Sequence, residues 1–225
     1  MKKQIGMLFA PQMIAAINEG RKTMTRRCIK PEVIMDKHSG YVYFNEHGGF
    51  YDIHTWKENI LCNSRIQPED LIYIKESHYR YGRWKRNGVT KSGRYKWIFV
   101  ADKKITGTRY IENAPPKVQR NKDRSVGWYK RSALFMPKKC ARLWLEVVSI
   151  RAEFLHSIPE EESEQEGILI LQEDSAGKLY KDYLLKRIGI VNDAKESFRT
   201  LWCSINGEKS WNDNPAVWVI EFKKI

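Results

Sequence analysis

The chain has 225 residues, 42% of them hydrophobic and 12% aromatic, which excludes an intrinsically disordered chain and is enough for one sizeable core. A mean hydropathy of -0.59 and the lack of a long uncharged apolar run exclude a helical membrane span. Lysine and arginine number 40 against 27 aspartates and glutamates, a net charge of +13 that suits a polyanionic partner.

In chain order, the opening Met1–Pro11 stretch is too short in apolar residues to read as a signal peptide. A helix is predicted over Pro11–Glu19, with proline in its first turn, Met13, Ile14 and Ile17 on one stripe, and Gly20 as its stop. Lys22–Ile29 reads as a strand. Residues 31–64, rich in Gly, His and Tyr, read as a loop or hairpin insertion. The turn Gln67-Pro68-Glu69-Asp70 leads into a strand over Leu71–Glu76, and a second clear strand covers Ala141–Ile150. Ser157 and Glu160 have the spacing of a capping box, so a short helix should begin there and stop at Gly167. Helices are then predicted near Leu179–Ile188 and over Asp193–Ile205, where Phe198, Leu201, Trp202 and Ile205 share a face. Ala216–Phe222 is a closing strand. Strands separated by irregular insertions, with few helices, predict an α+β chain built on a small mixed barrel.

The charge is concentrated. Residues 80–130 hold fifteen basic side chains against Asp102, Glu112 and Asp123, a net +12 that is nearly the whole excess. The cations are interleaved with Tyr81, Trp84, Tyr95, Trp97, Tyr110 and Trp128. That pattern is a footprint of nucleic-acid binding, with phosphates drawn to the cations and bases stacking on rings. Arg83, Trp84, Lys85, Arg86, Arg94 and Lys96 are the candidate contacts. The competing reading is a solvated, flexible insertion whose charge serves solubility.

Gly20-Arg21-Lys22-Thr23 is not a phosphate-binding loop: Ala15 stands where the first glycine is needed, and the segment follows a helix where such a loop follows a strand. The four cysteines, Cys28, Cys62, Cys140 and Cys203, form no CxxC pair and read as reduced thiols of a cytoplasmic protein. Cys28, although beside Arg26 and Arg27, has no evident partner base. His38, His47, His54 and Cys62 lack the tight spacing of a metal site, so no metal or cofactor is expected. Trp144, Trp202, Trp211 and Trp218 fit packing positions.

Gly20-Arg21-Lys22-Thr23-Met24-Thr25-Arg26-Arg27, following a helix, resembles the G-R-K-T-x-T-x-R signature of ASCH domains. Similar too are the Pro68-Glu69-Asp70 turn and the Ser163-Glu164-Gln165-Glu166-Gly167-Ile168 passage. The endings Phe198–Gly207 and Trp211–Phe222 are similar to those of longer phage and prophage members. The resemblance implies a PUA-like β-barrel with short flanking helices, one domain over 1–225, and insertions at about 32–64 and 81–130. It also implies a cleft that receives RNA, single-stranded nucleic acid or a modified pyrimidine nucleoside, with Arg21, Arg26 and Arg27 near it and no membrane or obligate protein partner. Small bacterial members hydrolyse the amide of N4-acetylcytidine with a Lys, a Thr and a Glu, which correspond here to Lys22, Thr25 and Glu166; ribonuclease activity also occurs in the wider family.

The chemistry of that trio is definable. A threonine hydroxyl needs a base to take its proton, and Lys22 could serve if burial or the neighbouring Arg21, Arg26 and Arg27 lowered its pKa. Glu166, at a helix C-terminus, would protonate the leaving nitrogen. In one regular strand Lys22 and Thr25 would face opposite sides, so Lys22 must belong to the turn after Gly20. Otherwise Thr25 is a strand surface residue, Lys22 a helix-end cation and Glu166 a solvated helix residue. A non-catalytic RNA- or DNA-binding module is the alternative to the enzyme.

Overall fold

The computed structural model describes residues 2–30, 33–35, 41–44, 50–52, 56–61, 64–175, 177–185 and 189–225. The elements begin with β1 (Gln4–Leu8), α1 (Pro11–Asn18), β2 (Met24–Cys28), β3 (Val33–Met35), β4 (Tyr41–Phe44), β5 (Phe50–Asp52) and α2 (Trp56–Leu61). Next are β6 (Leu71–Lys75), β7 (His78–Val89), β8 (Tyr95–Ala101), β9 (Thr108–Arg109), β10 (Gly127–Arg131) and β11 (Trp144–Phe154). The chain closes with α3 (Glu160–Gln165), β12 (Ile170–Asp174), β13 (Gly177–Asp182), β14 (Gly189–Val191), α4 (Ala194–Asn206), α5 (Glu208–Asn212) and β15 (Ala216–Lys224). The architecture is mixed α+β. No helix among the described residues is long and apolar enough to cross a membrane.

The chain divides into two compact units, one comprising residues 1–5, 11–72 and 145–225 and the other 6–10 and 73–144. One five-stranded sheet has the order β1-β6-β11-β15-β2, and its β11-β15-β2 part organises the first unit. Its spine is the long antiparallel β11–β15 pair, with a register shift between Val147 and Ser149, and β2 adds on with Val217 opposite Cys28. Val217, Val219 and Ile220 are fully buried, as the apolar run of a covered strand requires. Helix α1 buries Met13, Ile14, Ala16 and Ile17, and Gly20 (φ +77) ends the passage after it. Helix α4 is capped by Asp193, whose side chain accepts from the Glu196 N–H at 2.7 Å, and stops at Gly207 (φ +86). It buries Phe198, Leu201 and Trp202. Ile205, predicted on the same face, is exposed because it falls in the last turn.

Three expectations are corrected. Leu179–Ile188 is not a helix: Lys178–Asp182 lies in β13, paired with β12 and β14, and residues 186–188 lie outside the described residues. A hairpin closed by Gly177 (φ +128) gives the backbone cross-strand partners that a five-residue apolar pattern cannot distinguish from a helical turn. Ser157 forms no capping box: it belongs to a 3-10 turn, and the position before α3 is Pro159, with no side-chain cap. Finally, residues 80–130 are not a loose insertion. They form most of the second unit, a folded antiparallel sheet of order β10-β7-β8 with β9 also on β7. Gly82 is required there, since a Cβ would meet the Val100 carbonyl at 2.3 Å.

Of the 31–64 stretch, the described part is an antiparallel β3-β4-β5 sheet and α2, whose Trp56 and Ile60 pack with Ile29, Ala152 and Ala216. Phe154 and Trp218 flank that cluster, with the Trp56 and Phe154 ring centroids 5.2 Å apart. Trp202 is buried and Trp211 packs on His156, in keeping with packing roles; Trp144 packs on Tyr73. Cys140 and Cys203 are free thiols. His38, His47, His54 and Cys62 lie outside the described residues.

Candidate functional site

The signature segment is drawn to the end of α3 by backbone contacts. The N–H of Lys22 donates to the Ala16 carbonyl at 3.1 Å, and that of Thr23 to the Gln165 carbonyl at 3.0 Å. Gly167 (φ +84) makes the approach possible, because a Cβ on it would meet the Lys22 Cβ at 2.7 Å and the Ala16 Cβ at 2.9 Å. Lys22 thereby forms an isolated antiparallel bridge with Glu166, outside β2, which is the turn position that the trio needs.

The side chains follow. Lys22 Nζ donates to Glu166 Oε2 and to the Glu166 carbonyl, each at 2.7 Å, with the two side chains 2% and 5% exposed. Arg26, fully sealed, shares the same carboxylate at 3.1 Å. It also donates to Glu153 Oε1 at 2.8 Å, and to Glu162. Arg151 closes the array on Glu162 at 2.5 Å and Glu153 at 3.4 Å. Three cations and three carboxylates therefore balance in one cluster, buried at Lys22, Arg26, Glu153 and Glu166 and partly exposed at Glu162 and Arg151. Burial pushes the Lys22 ammonium below the usual lysine value, against the pull of Glu166. For Arg26 burial acts the same way but is outweighed by Glu166 and Glu153, so its pKa is raised. Arg27, next along the strand, is lowered by burial.

Thr25 is placed differently. Alternation along β2 puts Met24 and Arg26 on one face and Thr25 on the other, and the Arg26–Met24 contact at 3.6 Å confirms the shared face. Among the described residues, the Thr25 hydroxyl makes no hydrogen bond to Lys22 or Glu166, although Thr25 is buried. Thus Lys22, Glu166 and Arg26 meet, and Thr25 does not join their array. Glu153, Glu162 and Arg151 went unnoticed in the sequence. Glu162 was legible only as part of an acidic run suited to a helix start, and Glu153 as one charge in an apolar strand.

Beside this cluster opens a groove of about 1140 Å³ lined by Arg21, Thr23, Glu160, Glu164, Lys178 and Tyr180 among others. Arg21 is tied to the Gly167 and Ile168 carbonyls at 2.9 and 3.1 Å, and Glu164 is held by Lys178 at 2.9 Å and Tyr180 at 2.5 Å. Lys22, Thr25 and Glu166 are not part of its wall.

The second unit presents an open surface. Residues of β7 alternate from His78 to Gly82, the even positions buried and the odd ones half-buried, and Arg83 and Lys85 continue the outward set, exposed. The register aligns Tyr81 with Trp128, Tyr79 with Lys130 and with Arg109, Arg83 with Val100 and Lys85 with Ile98. Directly opposed residues share a face, so Tyr81, Trp128, Arg83, Lys85, Lys130 and Arg109 look outward, and Lys96 joins them by parity with Ile98. Tyr81 and Trp128 meet edge to face at 5.6 Å, and Arg109 stands 5.1 Å from the Trp128 ring.

Trp84 and Arg86 belong to the opposite face. Trp84 packs on Phe99 at 5.7 Å and Tyr129 at 6.4 Å, while Arg86 lies 4.1 Å over Tyr95. Arg94 is at the hairpin turn, where its N–H donates to Thr90 Oγ1 at 3.0 Å. The unit's carboxylates are engaged elsewhere. Arg142 takes Glu76 at 2.7 Å and Glu112 at 2.8 Å, Asp102 caps two backbone N–H groups, and Asp123 accepts from the Arg120 N–H. Among the described residues no ion pair reaches the outward cations, and no group of side chains could hold a metal ion.

Compared with protein-family models, with curated proteins and with solved structures, the chain finds no match.

Proposed function

We propose that this protein binds single-stranded nucleic acid, RNA foremost, on the outward face of the β10-β7-β8 sheet. One observation carries the reading: exposed Arg83, Lys85, Lys96, Lys130 and Arg109 share a face with the half-buried rings of Tyr81 and Trp128, and no carboxylate among the described residues pairs with them. Phosphates replace condensed counterions at the cations, and unstacked bases settle on the rings, which a duplex with stacked bases does not offer. Fluorescence anisotropy with a labelled single-stranded RNA tests it. Affinity should fall steeply with salt, and the combined Arg83→Glu, Lys85→Glu and Lys96→Glu variant should reduce the log–log slope by about 2, at about 0.7 per phosphate. Affinity indifferent to salt, or to that variant, overturns the proposal; competition by DNA of equal length sets the preference between polymers.

A second reading is favoured by the 2.7 Å contact of Lys22 with Glu166. Here the protein is an ASCH-type amidohydrolase, the sheet ending in β2 is part of a PUA-like barrel, and N4-acetylcytidine reaches Lys22 from the groove beside Arg21 only once the wall between them opens. Lys22, once it has given up its own proton, takes the Thr25 proton as the hydroxyl attacks the acyl carbon. The proton passes to Glu166 and on to the departing N4, and water then releases acetate from the acyl-threonine. It requires β2 to rearrange when substrate binds, so that Thr25 leaves the opposite face and reaches Lys22. N4-acetylcytidine should yield cytidine and acetate, and Thr25→Ala should abolish the yield. No turnover by the wild type rejects the enzyme, while cleavage of unmodified single-stranded RNA, lost on Lys22→Ala, selects a ribonuclease instead.

A further inference from the structure

Beneath the outward face, the even-numbered side of β7 carries a cation that no carboxylate among the described residues neutralises. Arg80 is 9% exposed. Its Nη1 donates to the weak acceptor Cys140 Sγ at 3.4 Å, its Nε has no partner, and no carboxylate of the described residues pairs with it. A buried guanidinium lacking acceptors is costly, and it persists where something else supplies them.

Arg80 lines a cavity of about 400 Å³ whose wall also includes Lys103, Lys139, Thr106, Thr108 and Asp102. Its lining thus includes three cationic residues and two threonines against one carboxylate residue. That carboxylate is committed: Asp102 Oδ1 accepts from the N–H groups of Lys104 at 2.8 Å and Ile105 at 2.9 Å. The surrounding field is positive too. Burial first, and then the charge of Arg80, hold the nearby Arg131 below the usual arginine value.

We propose that this cavity is an oxyanion site that takes a phosphate group. Arg80 offers fixed N–H donors, Lys103 and Lys139 offer charge, and Thr106 and Thr108 offer hydroxyls. The cavity is wider than a bare phosphate needs and leaves room for whatever the phosphate is attached to. The site goes beyond the nucleic-acid reading, since Arg80 lies on the face of β7 opposite Tyr81 and Arg83. Its phosphate could be inorganic or the end of a nucleic acid.

Calorimetric titration of the full chain with inorganic phosphate, at constant ionic strength, tests it. Wild type should bind one phosphate saturably, and Arg80→Gln should weaken binding about tenfold. Because Arg80 is buried, the Lys103→Ala/Lys139→Ala variant, altering two exposed residues, serves as the variant that retains the fold; it should also weaken binding about tenfold with an unchanged melting temperature. Absence of saturable uptake by wild type, or equal affinity in the lysine variant, overturns the proposal. A second titration compares 5′-phosphorylated with 5′-hydroxyl single-stranded oligonucleotides. Tighter binding of the phosphorylated form, lost in the lysine variant, assigns the phosphate to a nucleic-acid end. Equal binding of both forms, with inorganic phosphate still bound, assigns it to the free ion.

Discussion

Arg26 in the first unit and Arg83 in the second are both strand arginines, but their surroundings oppose each other. Arg26 is sealed and meets Glu153, Glu162 and Glu166; Arg83 is exposed and meets no carboxylate among the described residues. Nearby, Arg86, Arg124 and Arg131 lie over aromatic rings, at 4.1 Å from Tyr95, 3.6 Å from Trp97 and 4.7 Å from Trp84. A buried cation whose charge is matched by carboxylates, as that of Arg26 is, attracts nothing from outside. A cation left hydrated, or stacked on a ring, keeps its field for a visiting anion. Balanced charge in the first unit therefore holds the fold together, while the excess, nearly all of it in the second, remains available.

The sharpest way to break this contrast is Arg26→Met. It removes the shared counterion of two buried carboxylates, Glu153 and Glu166, and of half-buried Glu162, and should lower stability by about 3–5 kcal/mol in urea unfolding. A loss below about 1 kcal/mol would show that the cluster is not buried as described. Next, Trp128→Ala should weaken single-stranded RNA binding about tenfold to a hundredfold by anisotropy, the worth of one stacked base. Unchanged affinity would leave the outward face a charged surface without a reading platform.

The smallest effect is expected at an exposed pairing, between the two regimes. Glu146 accepts from Lys2 at 2.8 Å and Lys223 at 2.8 Å, and those two hydrogen bonds bring its pKa down to about 2 from an ordinary 4.5. Its folded value is depressed, so its contribution is fully present above pH 4.5 and is lost as pH falls from there through about 2. In thermal melts from pH 6 to pH 2, Glu146→Gln should lose less stability than wild type over that interval. Parallel curves would show that the triad contributes nothing measurable, as exposed pairs often do.

Much of the fold was legible along the chain. Helix α1 follows from Pro11, the spacing of Met13, Ile14 and Ile17, and Gly20; α4 follows from Asp193 and the Phe198, Leu201 and Trp202 stripe. These signals are local, since a cap or a stripe is complete within a few residues. The hairpin at Gly177 was misread because a short strand needs a partner to be recognised, and its partner has no local mark. At the candidate site, Lys22 and Glu166 were found together, as expected. Thr25 was separated from them by strand alternation, which no residue type announces.

By itself the sequence determined how much positive charge this protein carries, that residues 80–130 hold nearly all of the excess, and which segments have helical or strand periodicity. Only the tertiary structure decided which charges cancel. Glu153, Glu162 and Glu166 stand 127, 136 and 140 positions from Arg26 along the chain, yet all reach its guanidinium. Coulomb attraction and desolvation depend on distance through space and on exclusion of water, and neither quantity exists until the strands and α3 are packed.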